Sequence, residues 1–252
     1  MDELRVAELA AALRALGLEP GARVAVHSSL RSLGRVERGA DGVVDALLEA
    51  VGPDGLVVVP TFSYDNEVFD PAVTPGRTGA VSEALRRRPE AVRSLHPFYS
   101  VAAIGGGAAA LCEGHELLPA TAAGTPLDRL AESGGFVLLL GVGHTSNTTV
   151  HVGEFRAGAP YLDIPFDPAW PRGAGHHAYD RFPGCSKAFG AVELGLRRRG
   201  AIRDGRIGRA LVQLVPGRAV IAETEELLRG DPAALLCTDP ACYRCSRARA
   251  RL

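Results

Sequence analysis

Phe136-Val137-Leu138-Leu139-Leu140-Gly141-Val142-Gly143-His144-Thr145-Ser146-Asn147-Thr148-Thr149-Val150-His151-Val152-Gly153-Glu154 reads as a buried strand, a glycine turn and a polar loop that turns into a helix. Phe136 to Leu140 is the clearest strand of the chain. The same alternation of short apolar runs and helical periodicity extends outward in both directions. Upstream, residues 2–17 carry Leu4, Val6, Leu9, Ala10, Leu13 and Leu16 at helical spacing, ended by Pro20-Gly21. Arg23 to His27 is a strand. Asp41 to Val51 is a helix with Asp41 expected as its N-cap. Pro53-Asp54-Gly55 turns into the strand Leu56 to Val59. Thr78 to Arg88 is a helix stopped by Pro89, Val101 to Ile104 a strand, and Pro126 to Glu132 a helix. Downstream, a helix over Lys187 to Arg199, strands over Ala201 to Ile207 and Ala210 to Val215, and a helix over Ala222 to Leu228 complete the pattern. This order predicts an α/β fold with a central, largely parallel sheet flanked by helices, one domain over residues 1–252.

Two segments break the alternation. Residues 156–183 hold five prolines, three glycines and the tandem His176-His177 with little periodicity, and read as a functional loop or small subdomain. The last 16 residues hold three of the five cysteines and many arginines, with few apolar side chains to dock them.

Composition narrows the function. With 46% hydrophobic and 23% charged residues, the 252-residue chain has ordinary globular usage and enough apolar material for a sizeable core. A formal net charge of -1 gives no bulk electrostatic reason to bind nucleic acid or an acidic membrane. The opening Met1-Asp2-Glu3-Leu4-Arg5 starts a helix pattern, not a signal peptide, and apolar runs such as Phe136 to Val142 are too short to span a bilayer. The expected setting is cytoplasmic.

Four motifs carry candidate chemistry. His27-Ser28-Ser29-Leu30-Arg31-Ser32-Leu33-Gly34 follows a strand, where two hydroxyls and free backbone N–H groups can hold an anion or, more simply, cap a helix. Pro60-Thr61-Phe62 ends a strand, where ligands of open α/β sheets gather. Ser94-Leu95-His96-Pro97 presents a histidine at a proline-fixed turn; a satisfied loop histidine explains it as well as a ligand does. His151 and Glu154, three apart, share one helix face. There an imidazole can take a proton from an attacking amine while the carboxylate orients it. The same spacing suits a di-metal bundle, but the partner His/Glu pairs for that are missing. A solvated surface pair is the plain alternative.

Taken in order and spacing, His27-Ser28-Ser29-Leu30-Arg31-Ser32-Leu33-Gly34, Pro60-Thr61-Phe62, Arg93-Ser94-Leu95-His96-Pro97, Ser100-Val101 and Asn147-Thr148-Thr149-Val150-His151-Val152-Gly153-Glu154 resemble the aminoglycoside 3-N-acetyltransferase (antibiotic N-acetyltransferase) family over roughly residues 5–215. The resemblance implies the family's own α/β fold and transfer of an acetyl group from acetyl-CoA to an amine of an aminoglycoside or related amino compound. It implies that His27, Ser28, Ser29 and Leu30 hold the pyrophosphate or pantetheine of CoA, that Thr61 and Phe62 line the pantetheine channel, and that Thr78 and Ser100 lie along the cofactor. It makes His151 the general base, Glu154 its carboxylate support and Asp180 a second acidic partner in the acceptor cleft. The expected partners are acetyl-CoA and a small amine, with a homodimer allowed. A non-catalytic CoA-binding or zinc-stapled interaction protein on the same scaffold is the alternative. One departure concerns charge: residues 156–183 hold Asp163, Asp167 and Asp180 against Arg156, Arg172 and Arg181, so Asp65, Glu67 and Asp70 are the other acids open to a polycationic acceptor.

The tail carries separate chemistry. Cys237, Cys242 and Cys245 have C-x4-C-x2-C spacing, and three thiolates within nine residues suit a structural zinc that takes four ligands. Cys185 is the best fourth ligand, with His176 or His177 as rivals. An iron–sulfur cluster, or free thiols in a frayed tail, are the other readings.

Overall fold

A computed structural model describes residues 3–63, 69–164 and 184–252. Its centre is a seven-stranded sheet in the order β3-β4-β2-β1-β5-β7-β6. The strands are β1 (Arg23–Ser28), β2 (Leu56–Pro60), β3 (Val92–Arg93), β4 (Val101–Gly105), β5 (Phe136–Leu140), β6 (Arg203–Ile207) and β7 (Ala210–Pro216). The α/β class is as expected, but the sheet is mixed. Only β1 runs parallel to its neighbours β2 and β5. The pairs β2–β4, β3–β4, β5–β7 and β6–β7 are antiparallel. The parallel trio forms the middle of the sheet, where both faces are covered and near-continuous apolar runs are tolerated.

Alternation along each strand sorts the core. Val24 and Val26 of β1, Val57 and Val59 of β2, and Leu138 and Leu140 of β5 face one way. They pack under α1 (Val6–Ala15), α3 (Gly39–Val51) and α4 (Ala80–Arg86), through Leu9, Leu13, Leu47 and Leu85. Ala25, Leu56, Val58, Val137 and Leu139 face the other way. That face is covered by α5 (Ala108–Cys112), α6 (Pro126–Glu132), α7 (Thr149–Arg156) and α9 (Gly217–Gly230). The short α2 (Leu30–Leu33), α8 (Ala191–Arg198) and α10 (Tyr243–Arg249) complete the helices. Among the described residues no helix is long and apolar enough to cross a membrane.

Several boundaries differ from the periodicity reading, each for a local reason. Asp41 is not the cap of α3; that helix begins two residues earlier, after Arg38 in the left-handed region with φ 58°. Thr78 lies before α4, because Gly79 at φ 115° breaks the helical path and the Thr78 hydroxyl donates to the Pro60 carbonyl. α9 starts at Gly217 rather than Ala222. A side chain at 217 would meet Ala131 Cβ at 2.9 Å, so the glycine that resembles a turn signal serves close helix packing. The tail is also not a loose end. α10 buries Cys245 and Ala248 against Leu235, Leu236, Tyr161 and Ile164, and closes the second apolar cluster.

Candidate active site

A cleft of about 240 Å³ opens at the C-terminal ends of the parallel trio. β1 contributes His27 and Ser28, the exit of β2 contributes Pro60 and Phe62, and the turn after β5 contributes Thr145, Ser146, Asn147 and Thr148. The antiparallel β4 arrives at this same edge, so Tyr99, just before it, joins the wall. Arg77, Thr78 and Ser82 border one side and Gly184, Ser186 and Phe189 the other. This is the position at which open α/β sheets gather ligands.

His151 projects into the cleft from the first turns of α7. The helix starts where it does because Asn147 Oδ1 accepts the Thr149 backbone N–H at 3.1 Å. The Asn147 amide also meets His144 Nδ1 at 3.2 Å, which fixes the turn. His151 Nδ1 lies 2.5 Å from Glu154 Oε2, and both side chains are buried. The other carboxylate oxygen, Oε1, accepts the Tyr161 hydroxyl at 2.9 Å. Phe189 packs edge-on against the imidazole, with ring centroids 4.6 Å apart. The bond to a carboxylate assigns the proton to Nδ1, which leaves Nε2 as the basic nitrogen of the ring. The plain alternative of a solvated surface pair does not describe these residues.

His27 is fully buried, and burial first, then the neighbouring His144, lowers its pKa to about 4. It is therefore a neutral imidazole, and its Nε2 has no hydrogen-bond partner among the described residues.

The other expected cofactor residues divide into two groups. Ser28, Phe62 and Thr78 line the cleft beside His27. Ser29, Leu30, Thr61 and Ser100 do not. Ser29 accepts the Ser32 hydroxyl at 2.9 Å and precedes α2, on which Leu30 sits. Thr61 and Ser100 are completely buried and bonded to each other, with hydroxyls 3.0 Å apart. Arg93 ties them together, donating to Ser100 Oγ at 3.0 Å and to the Thr61 carbonyl at 2.8 Å. They brace the cleft floor from behind. His96 is buried in its turn and its Nδ1 accepts the backbone N–H groups of Phe98 and Tyr99 at 3.3 and 3.0 Å, which is the role of a histidine that braces its own loop. Asp180, His176, His177, Asp65 and Glu67 lie outside the described residues.

The sequence reading did not anticipate Tyr99, Ser82, Ser186, Phe189 and Tyr161 at the site. Tyr99 followed a motif read only for its histidine and serine. Ser186 and Phe189 flank the cysteine considered only as a metal ligand.

The four cysteines converge. The sulfurs of Cys185, Cys237, Cys242 and Cys245 all lie within 4.8 Å of one another, and Cys185 and Cys237 are 3.7 Å apart. The Cys185 thiol is pulled down to about 5, chiefly by a hydrogen bond from Cys245. Cys185 sits between Gly184 and Ser186, two residues of the cleft wall. Beside Cys245, Arg244 is buried and runs directly under Gly184, where a Cβ would come within 2.3 Å of Arg244 Cδ. Its guanidinium donates to the carbonyls of Tyr161, at 3.3 Å, and Ile164.

The chain is similar to known proteins along nearly all of its length. A family model described as aminoglycoside 3-N-acetyltransferase matches residues 25–229. The aminoglycoside N(3)-acetyltransferase IV of Salmonella is 35% identical over 249 residues, covering 93% of this chain and 91% of that protein. A crystal structure of the aminoglycoside acetyltransferase AAC(3)-IVa, a histidine-to-alanine mutant in complex with a gentamicin, superposes with a TM-score of 0.89 at 35% identity, covering 100% of this chain and 99% of that one. A binary complex of AAC-IIIb with CoASH superposes with a TM-score of 0.77 at 29% identity, covering 91% and 97%. The sheet, the cleft at its parallel centre and these matches agree: the chain belongs to the aminoglycoside 3-N-acetyltransferase family, a family of acyltransferases.

Proposed function

We propose that residues 1–252 act as one acetyltransferase domain that moves the acetyl group of acetyl-CoA to an amine of an aminoglycoside or related amino compound, with His151 as general base. The observation that carries this reading is the buried His151–Glu154 pair, 2.5 Å long, on the wall of the cleft. His151 Nε2 takes a proton from the acceptor ammonium. The freed amine attacks the thioester carbonyl carbon, so a C–N bond forms and the carbonyl becomes a tetrahedral oxyanion. Collapse breaks the C–S bond, the CoA sulfur leaves with the proton that His151 carried, and the second proton of the attacking nitrogen is lost to solvent, which leaves the neutral amide. Glu154 stabilises the imidazolium between the two transfers. No acyl-enzyme is needed, and no cysteine among the described residues lines the cleft. Ser28, His27, Phe62 and Thr78 are the described residues positioned to meet the pantetheine arm. Relatives support both substrates, since one is complexed with CoASH and another with a gentamicin. The test is release of CoA thiol from acetyl-CoA with a panel of aminoglycosides, and mass analysis of the mono-acetylated product. No thiol release with any amine of the panel overturns the reading.

The cysteine cluster fits a structural zinc. Tetrahedral ligation with Zn–S bonds of about 2.3 Å places sulfurs roughly 3.8 Å apart. The four sulfurs here lie within 4.8 Å of one another, with one pair at 3.7 Å, so a small contraction would bring them to that spacing. Zinc would hold the cleft wall at Gly184–Ser186 to α10 and supply no chemistry to the acetyl transfer. A thiolate site of this kind suits a reducing, cytoplasmic setting. Elemental analysis of protein purified without chelator should find about one zinc per chain. Stripping it should lower thermal stability and weaken acceptor binding more than CoA binding. Metal-free protein with five freely titrating thiols would refute the site.

A further inference from the structure

Glu154 can orient His151 only if the carboxylate is itself held. A carboxylate bonded through one oxygen can swing about its last torsion and lose alignment with Nδ1. Here the second oxygen is occupied by Tyr161 Oη at 2.9 Å, in a place sealed from water, with Glu154 2% and Tyr161 1% exposed. We propose that Tyr161 is a positioning residue of the acetyl transfer: its hydroxyl locks Glu154 so that His151 meets the acceptor amine through Nε2, and Arg244 of the cysteine-anchored helix holds Tyr161 in place.

Three observations carry this. First, toward the carboxylate the phenol is the donor, with the Tyr161 hydroxyl bonded to Glu154 Oε1 at 2.9 Å. A phenylalanine would fill the same apolar cluster of Val150, Phe189 and Ile164, and the hydroxyl adds only the bond to Glu154. Second, the chain is folded to bring Tyr161 back over α7. Ala159 N–H bonds to the Glu154 carbonyl at 3.1 Å and Ile164 N–H to the Tyr161 carbonyl at 3.2 Å, a tight return after the helix end. Third, that return is tied from the tail. Arg244 is 4% exposed and directs its guanidinium at the carbonyls of Tyr161 and Ile164. Gly184 has no side chain where the Arg244 stem passes. A buried arginine bonded to two backbone carbonyls is a strut, and it stands next to Cys245. The cysteine cluster thus connects to the base through Arg244, Tyr161 and Glu154 in sequence.

The inference rests on the assignment of His151 as base, and the experiment separates the two. In the full-length chain, Tyr161→Phe should lower kcat about tenfold with the KM for acetyl-CoA unchanged, because the defect lies in the alignment of the base. In a Glu154→Gln background the same change should cost nothing further, since the group that Tyr161 orders is already impaired. Arg244→Lys should lower kcat about threefold, and should add nothing to Tyr161→Phe. It decides the matter with the same readout if Tyr161→Phe fails to accumulate as folded protein. A Tyr161→Phe enzyme within twofold of wild type, losses that simply add in the Glu154→Gln background, or a fall in thermal stability with kcat intact would each overturn the proposal. If His151→Ala itself turns over normally, the assignment of the base fails. If His151→Ala is inactive while Tyr161→Phe is normal, only the positioning role fails.

Discussion

His151 and His115 are buried to nearly the same degree, 5% and 1% exposed, on the same side of the sheet, yet their neighbours give them opposite capacities. His115 is bonded to neutral groups and has no carboxylate partner among the described residues, with the Arg129 guanidinium acting on it from nearby. Its Nδ1 meets the Ser94 hydroxyl at 2.9 Å and its Nε2 the Ala120 carbonyl at 3.0 Å. Burial lowers its pKa to about 4, so it is a neutral brace with both nitrogens committed. His151 has a carboxylate on Nδ1 and a cleft in front of it. An imidazole can serve as a base only where the cation it becomes has a partner, and the partner, not the depth of burial, separates the two residues.

The sharpest way to break this comparison is to remove each ring. His151→Ala should lower kcat on the order of 10³-fold, about 4 kcal/mol in the barrier, with acetyl-CoA affinity nearly unchanged by calorimetry. Near-normal turnover would remove the distinction. His115→Ala should leave kcat of the folded enzyme within about twofold and appear instead as lost stability, because the Ser94 hydroxyl and the Ala120 carbonyl lose their partner.

The next effect is one of pH. The folded pKa values of His27 and His115 lie near 4, below the ordinary histidine value of 6.5. Above 6.5 neither state binds the proton and there is no contribution. As pH falls from 6.5 towards 4 the unfolded chain takes up protons that the folded chain refuses, so stability declines; below 4 both states are protonated and the decline ends. Each histidine contributes up to about 3 kcal/mol of this loss. Urea unfolding across that range should show the slope, and His115→Gln should make it shallower. A profile flat across the whole interval would show that the native protein takes up these protons as readily as the unfolded chain, so that burial does not hold the two rings neutral.

The smallest effect distinguishes two adjacent serines. Ser28 lines the cleft, whereas Ser29 faces Ser32. Ser28→Ala should weaken CoA binding by a few fold, about 1 kcal/mol. Ser29→Ala should leave CoA binding unchanged and cost a similar amount of stability instead. Equal effects on CoA would place Ser29 at the cofactor.

What the residues disclosed before folding follows from how locally each feature is encoded. The parallel trio was readable because β1, β2 and β5 are dense in valine and leucine, and the His151–Glu154 pair because three residues along a helix is one face. The cysteine cluster was readable from spacing in the tail, with Cys185 as the best of three candidates for the fourth position, beside His176 and His177. Strand direction was not: five apolar residues such as Val101–Gly105 read the same whether the chain enters the sheet from the cleft edge or leaves by it. Ser100 was misplaced for a related reason, since its hydroxyl points to Arg93 and Thr61 instead of the cleft, and pattern carries no side-chain direction in a non-periodic turn. Tyr161 lies beyond the end of α7, where no periodicity links it to Glu154. Arg244 looked like one more arginine in a basic tail.

The reversal of strand direction on either side of the parallel trio has an evolutionary corollary. Parallel strands hand residues to the cleft as the chain departs from the sheet; antiparallel ones hand them over as it arrives, as Tyr99 does ahead of β4. Entering and leaving segments can therefore lengthen or mutate independently around the fixed His151–Glu154 pair. The far edge has no such freedom: a Cβ on Gly105 would fall 2.0 Å from the Gly55 carbonyl oxygen, so backbone there is stitched to backbone. Sequence change has its raw material at one rim of the sheet, while the other rim keeps the register on which the whole sheet depends.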